Sequence, residues 1–410
     1  MRLPRSAGGK GRREADEANK PAEVEAIEAF LLSQAEFRHN VITHHCEIRW
    51  TEEAGFLPLT DRDVNTLWGR MNKTVGRVYL TDIYNVIHSE FVPLFNPFQS
   101  YFDHLPSWDG VSDPIGDLAD TVHVKSDQAE FRDYFRKWFV GILPALLDDT
   151  VVNHEILVLI GEQGLYKTTW FNFLLPPELR CYFYTKTNSD RLNKDDLFSL
   201  TEFALICFEE LDGMRPAELN QLKAMVTMPY VNERAAYGRN KERHPHIASF
   251  CGTGNNVQFL TDPTGNRRWL PFEVSQIRDP HLHAIPYELV YSQAYALWKS
   301  GFCHWFSQEE IRVLNMHNSR FEVPNLEEDL IRTHFRKPFE GEAGIFVTAA
   351  DILEQISSCL RYPLSPNKIG RIMAGLEFES IRYKGKRGYV TVKKTGEDID
   401  RERRSGALGL

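Results

Sequence analysis

Ile156-Leu-Val-Leu-Ile-Gly-Glu-Gln-Gly-Leu-Tyr-Lys-Thr-Thr-Trp170 runs from an aliphatic stretch through a glycine-bearing turn toward a helix. Ile156, Val158 and Ile160, with Leu157 and Leu159 between them, leave no polar side for solvent. The run therefore reads as a parallel-sheet strand buried on both faces. The turn that follows carries Gly161, Gly164, Lys167, Thr168 and Thr169, and a helix should open at Trp170. Strand, turn and helix in that order set backbone N–H groups and a helix N-terminus around an anion, as in a P-loop. Lys167 would reach the outer phosphates and Thr168 would hold Mg²⁺. Tyr166 departs from the usual pattern, which has glycine immediately before the lysine.

The next apolar strand, Phe203 to Phe208, ends in Glu209-Glu210. An acid at the tip of a strand beside such a loop orders the Mg²⁺ shell and activates water. Two acids allow Glu209 to face the metal and Glu210 to act as base. A third apolar strand, His246 to Thr253, closes on Asn255-Asn256, and an amide there can orient the attacking water without adding charge. Arg267-Arg268 follow a turn and suit the charge that develops on a transferring γ-phosphate, worth roughly 10³–10⁵ in rate. Each piece has an ordinary structural reading, as a turn, a solvated strand edge or a surface pair. Their order and spacing favour the catalytic one.

These elements together resemble the virulence-associated E family, phage- and mobile-element-encoded ATPases similar to superfamily 3 helicases and often associated with primases. The resemblance is carried by Gly161-x-Gln163-Gly164-x-x-Lys167-Thr-Thr, Glu209-Glu210-Leu-Asp212, Gly252-Thr253-Gly-Asn255 and Thr264-Gly-Asn-Arg267-Arg268. It extends upstream to Asn96-Pro97 and Trp108-Asp109-Gly110, so it spans roughly residues 90 to 275. It implies an AAA+-like P-loop NTPase core with Lys167 and Thr168 on nucleotide and Mg²⁺. It implies further that Glu209 and Glu210 form the second acidic motif, Asn255 the polar sensor, and Arg267 or Arg268 an arginine finger for a neighbouring subunit. Related ATPases insert a β-hairpin whose Lys and His line a central pore, which makes Lys241, Arg243 and His244 candidates for gripping single-stranded DNA.

Composition allows two or three domains in 410 residues, with 42% hydrophobic and 26% charged residues. No apolar run reaches the length of a membrane span, and residues 1–20 lack an apolar core, so a cytosolic location is expected. The six cysteines show no Cys-x-x-Cys spacing, and neither a disulfide framework nor a zinc site is expected. His44-His45-Cys46 alternates faces on an extended segment and reads as ordinary partly buried side chains.

A net charge of −9 argues against a protein that coats DNA over its whole surface. Basic residues gather instead between Glu233 and His244 and between Arg361 and Lys394. The second region reads as helix, turn, helix and hairpin, a winged-helix layout. Its second helix should bury Ile369, Ile372, Met373 and Leu376 and leave Lys368 and Arg371 outside. Lys384, Lys386 and Arg387 should populate a hairpin turning at Gly385-Lys386-Arg387, with phosphates as their partners. A protein-docking role is the alternative for that module.

The expected organisation is a tail (1–21), a mainly helical N-terminal domain (22–115) and an α/β P-loop domain (116–280) with a three-layer core. A helical lid (281–325), a winged-helix domain (326–395) and a second tail (396–410) follow. The expected function is an ATP- and Mg²⁺-dependent, helicase-like motor on DNA, with hexamer assembly and a primase partner implied by the family resemblance. A nucleotide-switched DNA-binding regulator and a non-catalytic primase-associated subunit are the alternatives.

Overall fold

A computed structural model of the chain describes residues 23–186, 194–233, 242–261, 266–339, 341–357 and 366–398. The chain divides into two compact units, the first ending at Glu322 and the second beginning at Val323.

The first unit is built on a six-stranded sheet. Its strands are β1 (Val122–Val124), β2 (Ile156–Ile160), β3 (Phe183–Lys186), β4 (Leu205–Phe208), β5 (Ser249–Gly254) and β6 (Trp269–Ile277), in the order β1-β6-β2-β5-β4-β3. The five longer strands pair in parallel, and only the short edge strand β1 runs antiparallel, against β6. The helices around it are α1 (Gln128–Leu147), α2 (Lys167–Leu174), α3 (Lys194–Glu202), α4 (Pro216–Val226), α5 (Tyr287–Lys299) and α6 (Gln308–Asn318).

Every residue of β2 is fully buried. Leu157 and Leu159 enter one core with Phe135, Trp138 and Phe139 of α1, while Ile156, Val158 and Ile160 enter another with Leu219 and Leu222 of α4. Successive side chains of a strand point to opposite faces, so an unbroken aliphatic run implies a cover on each. That is the mixed α/β, layered arrangement expected. Each of these side chains contributes about 1.5–3 kcal/mol on burial.

The segment before the sheet, expected to be mainly helical, contains helices Val24–Gln34, Asp61–Thr74 and Leu80–Ile87 and adds strands that were not expected. Ala35–Asn40 pairs antiparallel with His45–Trp50, and Leu57–Pro58 and Leu94–Phe95 flank them in a second sheet. Asn40, almost fully buried, donates from Nδ2 to the Tyr182 hydroxyl (2.8 Å), tying this sheet to the segment that leads into β3. The edge strand β1 was likewise not foreseen. The expected N-terminal tail lies outside the described residues.

In the second unit, helices Leu326–His334, Ala349–Ser357 and Pro366–Gly375 pack on a small sheet in which Lys386–Lys393 pairs with Phe335–Arg336, Ile345–Val347 and Ser380–Tyr383. Its core joins Ile352, Ile356, Ile369, Ile372 and Met373. The hairpin turns at Lys384-Gly385, starting one residue earlier than expected and one residue shorter. Both residues take positive φ (47° and 79°), as a two-residue primed turn requires, and Lys386 and Arg387 become the start of the returning strand.

Candidate active site

The turn after β2 continues the sheet before it leaves it. Gly161 N donates to Gly254 O (3.1 Å), and a Cβ on Gly161 would lie 2.9 Å from the Val274 carbonyl, so the position accepts no side chain. The chain then passes through Gly164 (φ 89°) and Tyr166 (φ 61°, ψ 17°) into α2. Tyr166 is the N-cap of that helix in the left-handed region, the conformation glycine adopts at least cost. This is the physical reason for glycine at that position in the usual pattern. The Tyr166 ring is 42% exposed and borders, without filling, a cavity of about 410 Å³.

Lys167, Thr168, Thr169, Glu209, Glu210, Thr253 and Asn255 line the same cavity, together with Gly164. The Lys167 ammonium donates to the carbonyls of Gly161 (2.6 Å) and Glu162 (2.8 Å) and lies 3.5 Å from Asn255 Oδ1. Burial lowers its pKa, and the charge of Asp212 acts in the opposite direction. The Thr168 hydroxyl donates to Glu209 Oε1 (2.8 Å), joining the helix start to the tip of β4. Glu210 follows in the left-handed region (φ 55°, ψ 44°) and bends the chain away from the strand. Two non-glycine residues in that region on one cavity wall mark where backbone strain is held, as is common at functional sites.

Asp212 went unremarked except as part of a motif, and it organises the amide-bearing turn. Its carboxylate accepts from the backbone N–H groups of Asn255 and Asn256 (3.1 Å each) and from Asn256 Nδ2 (2.6 Å). A Cβ on Gly254 would stand 3.1 Å from Asp212 Oδ1, so the glycine admits this approach. The available signal was an acid just past the strand tip beside a turn with no side chain to obstruct it.

Arg267 and Arg268 lie elsewhere. Because β6 runs parallel to β2 with Trp269 opposite Ile156, the arginine turn (Asn266–Arg268) sits at the end where β2 begins. The loop that holds Lys167 leaves from the other end, roughly 16 Å away at about 3.3 Å per strand residue. Arg267 is exposed and Arg268 half-buried. Burial and the neighbouring Arg267 lower the Arg268 pKa, and Glu155 opposes that shift. Burial raises Glu155 to about 7.

The sequence profile of the virulence-associated protein E-like domain matches residues 103–323, more than half of the chain. The chain belongs to that family. The VapE-like domain thus takes in the central sheet, both of its ends and helices α1 to α6. The structure is similar to two solved ones: the apo structure of NrS-1 C terminal region (305–718), at 12% identity and TM-score 0.48, and the A form apo structure of the same region, at 12% and 0.47. In each case the likeness covers 90% of this chain and 99% of that one. No curated protein matches the chain. No helix among the described residues is long and apolar enough to cross a membrane.

The residues considered for nucleic acid are dispersed. Tyr230–Glu233 and Glu242–Pro245 form a two-stranded hairpin beyond α4. Arg243 is exposed with its guanidinium 3.4 Å over the Tyr230 ring, and His244 packs edge-on against His44, 4.9 Å between ring centroids. Lys241 lies outside the described residues. In the second unit Arg371, Lys384, Lys386 and Arg387 are exposed. Lys368 corrects the expectation of a solvent-facing lysine: its ammonium pairs with the buried carboxylate of Glu327, which holds two helices together. A larger cavity, about 720 Å³, lies between the N-terminal sheet and the β3 edge. Its one arginine, Arg38, is paired with Glu47 (2.5 Å) and stacked on Phe95 (3.6 Å) and Phe56 (4.0 Å).

Proposed function

We propose that this protein is an ATP hydrolase that moves along DNA, a helicase-like motor of a phage or mobile element that assembles into a ring and works beside a primase. The observation that supports this most is the convergence of Lys167, Thr168, Glu209, Glu210 and Asn255 on one cavity at the carboxyl ends of parallel strands. Open α/β sheets bind their ligands at that edge. The Gly161–Lys167 loop is read as a P-loop.

The Thr168 hydroxyl and Glu209 carboxylate are hard oxygen donors 2.8 Å apart, and they fit Mg²⁺, which takes one or two protein ligands and completes its shell with phosphates and water. When bound, Mg²⁺ neutralises charge on the phosphates. Lys167 would exchange the Gly161 and Glu162 carbonyls for phosphate oxygens. Glu210, bent off the strand tip, accepts the proton of the attacking water, and Asn255, held by Asp212, orients that water. The arginine turn lies too far from its own chain's cavity to reach it, so it serves the cavity of a neighbour. On this reading the site is complete only between two subunits, and a head-to-tail contact repeated with closure makes the ring. DNA would meet the hairpin through Arg243, and the second unit, read as a winged helix, would offer Arg371, Lys384, Lys386 and Arg387 to phosphates, contacts that carry affinity without sequence preference.

Steady-state ATP turnover of the full chain, with and without single-stranded DNA, tests the reading. Lys167→Ala should abolish turnover, and wild type should be stimulated by the strand. Undiminished hydrolysis in the variant would remove the P-loop assignment. Tight ATP binding without turnover would favour a nucleotide-switched DNA-binding regulator.

A further inference from the structure

We infer that Asn318 is the positioning residue of the arginine turn; the inference rests on the reading above, in which that turn completes a neighbour's site. Asn318 is the last residue of α6 and is fully buried. Its side-chain nitrogen donates to two carbonyls, Asn266 O (2.8 Å) and Trp269 O (3.0 Å). Those carbonyls bracket Arg267 and Arg268. One amide nitrogen with two N–H groups thus clamps both ends of the segment that presents the guanidiniums. Asn266, itself buried, donates from Nδ2 to Glu322 Oε1 (2.8 Å), a second tether to the stretch that follows α6. Phe259 and Leu260 add two backbone bonds to Phe321 O, 2.9 Å each.

A three-residue 3₁₀ turn does not hold its own geometry; among the described residues the Asn318 amide and the Asn266–Glu322 bond hold this one. Asn266 Oδ1, Arg268 Nε, Trp269 Nε1 and Asn318 Oδ1 are buried without a hydrogen-bond partner. The two bonds Asn318 donates fix both ends of the turn. Alanine would leave both carbonyls buried and unpaired, and the turn would move to find other donors. A displacement near 1 Å can cost about 10²-fold in rate. The residue is buried at the end of the sheet opposite the Lys167 cavity, and it acts only through the arginines.

The test is ATP turnover by the full chain carrying Asn318→Ala, alone and mixed with Lys167→Ala chains. The latter lack a working nucleotide cavity but keep an intact arginine turn. Asn318→Ala alone should lose about 10²-fold in kcat, with KM for ATP within about threefold of wild type. Mixing should restore about tenfold, because each variant supplies the half the other lacks. Asn318→Ser, which keeps one donor, should fall between, and it carries the test if the alanine variant does not fold. Wild-type kcat in either variant overturns the inference. So does a loss that mixing fails to restore, which would mark a purely structural asparagine. Absence of turnover in wild type is a separate result: it removes the motor reading, and this inference with it.

Discussion

The two ends of the central sheet are built in opposite ways. At the end where the strands finish, the wall of a 410 Å³ cavity holds Tyr166 and Glu210 in the left-handed region and a lysine that bonds to its own loop. At the end where they begin, side chains bridge neighbouring strands and helices. The Trp138 indole donates to Phe250 O (2.9 Å), Asn153 bridges Trp138 O and Ser249 Oγ (3.1 Å each), and His317 bridges Glu130 and Pro271 O. The first end gathers polar side chains and backbone strain around one cavity. The second is a scaffold, and the arginine turn is the part of it that faces outward. On the proposed reading, a site whose chemistry is divided between the two ends of one sheet is completed by a second copy of the chain.

The sharpest way to break this comparison is to remove the arginines. Arg267→Ala or Arg268→Ala should lower kcat about 10³-fold, near 4 kcal/mol of transition-state stabilisation, while ATP binding at the Lys167 cavity persists. Whichever variant loses more identifies the finger. Measured by ATP-analogue titration beside turnover, equal loss of binding and rate would place the arginines at their own chain's nucleotide and contradict the register of β6 on β2.

A second contrast concerns protons at the scaffold end. His246, buried between the hairpin and β5, donates from Nδ1 to Met228 O (2.6 Å), and burial lowers its pKa from 6.5 to about 4. The unfolded chain takes up the proton first as pH falls. Stability from this residue is therefore complete above pH 6.5 and is lost as pH falls toward 4. The difference amounts to about 3 kcal/mol. Urea unfolding of wild type and His246→Phe at pH 7 and pH 4 should show the gap between them narrow by about that amount. A constant gap would mean that the folded imidazole takes up its proton at the ordinary pKa.

Much of the open end was legible before any coordinates. An aliphatic run can only be a doubly covered strand, and a lysine and threonine at the start of the next helix can only lie beside its tip. The acids of Glu209-Glu210 and the amide of Asn255 close other strands of the same sheet, so parallel pairing brings them together. What was not legible depends on partners far away in the chain. Nothing local to Trp269 announces that it pairs with Ile156, yet that register decides which end receives Arg267. Lys368 sits on the helix face that periodicity assigns to solvent, and Glu327, 41 residues earlier, claims it. Ala35–Asn40 carries Glu, Arg, His and Asn, and its alternation is hidden because Asn40 is buried through a bond to Tyr182. Asp212 acts on backbone N–H groups, which leave no trace in a pattern of side chains.

Tyr166 gives the smallest effect and the finest distinction. A left-handed non-glycine residue costs roughly 1–2 kcal/mol in the fold, and glycine gives back about 0.5–1 kcal/mol through the greater freedom of its unfolded chain. Tyr166→Gly should therefore stabilise the protein by about 0.5 kcal/mol, whereas Tyr166→Ala keeps the backbone cost and should not. The pair separates two reasons for a tyrosine at this position. If the ring matters only as a bystander on the cavity rim, both variants bind ATP as wild type does, and only their unfolding midpoints differ. If the strain itself holds the loop ready, the glycine variant relaxes, and its ATP affinity falls below that of the alanine variant although it is the more stable of the two. Stability and affinity would then move in opposite directions at one residue. That is the behaviour expected of an end of the sheet built for a ligand, and not of the end built as a scaffold.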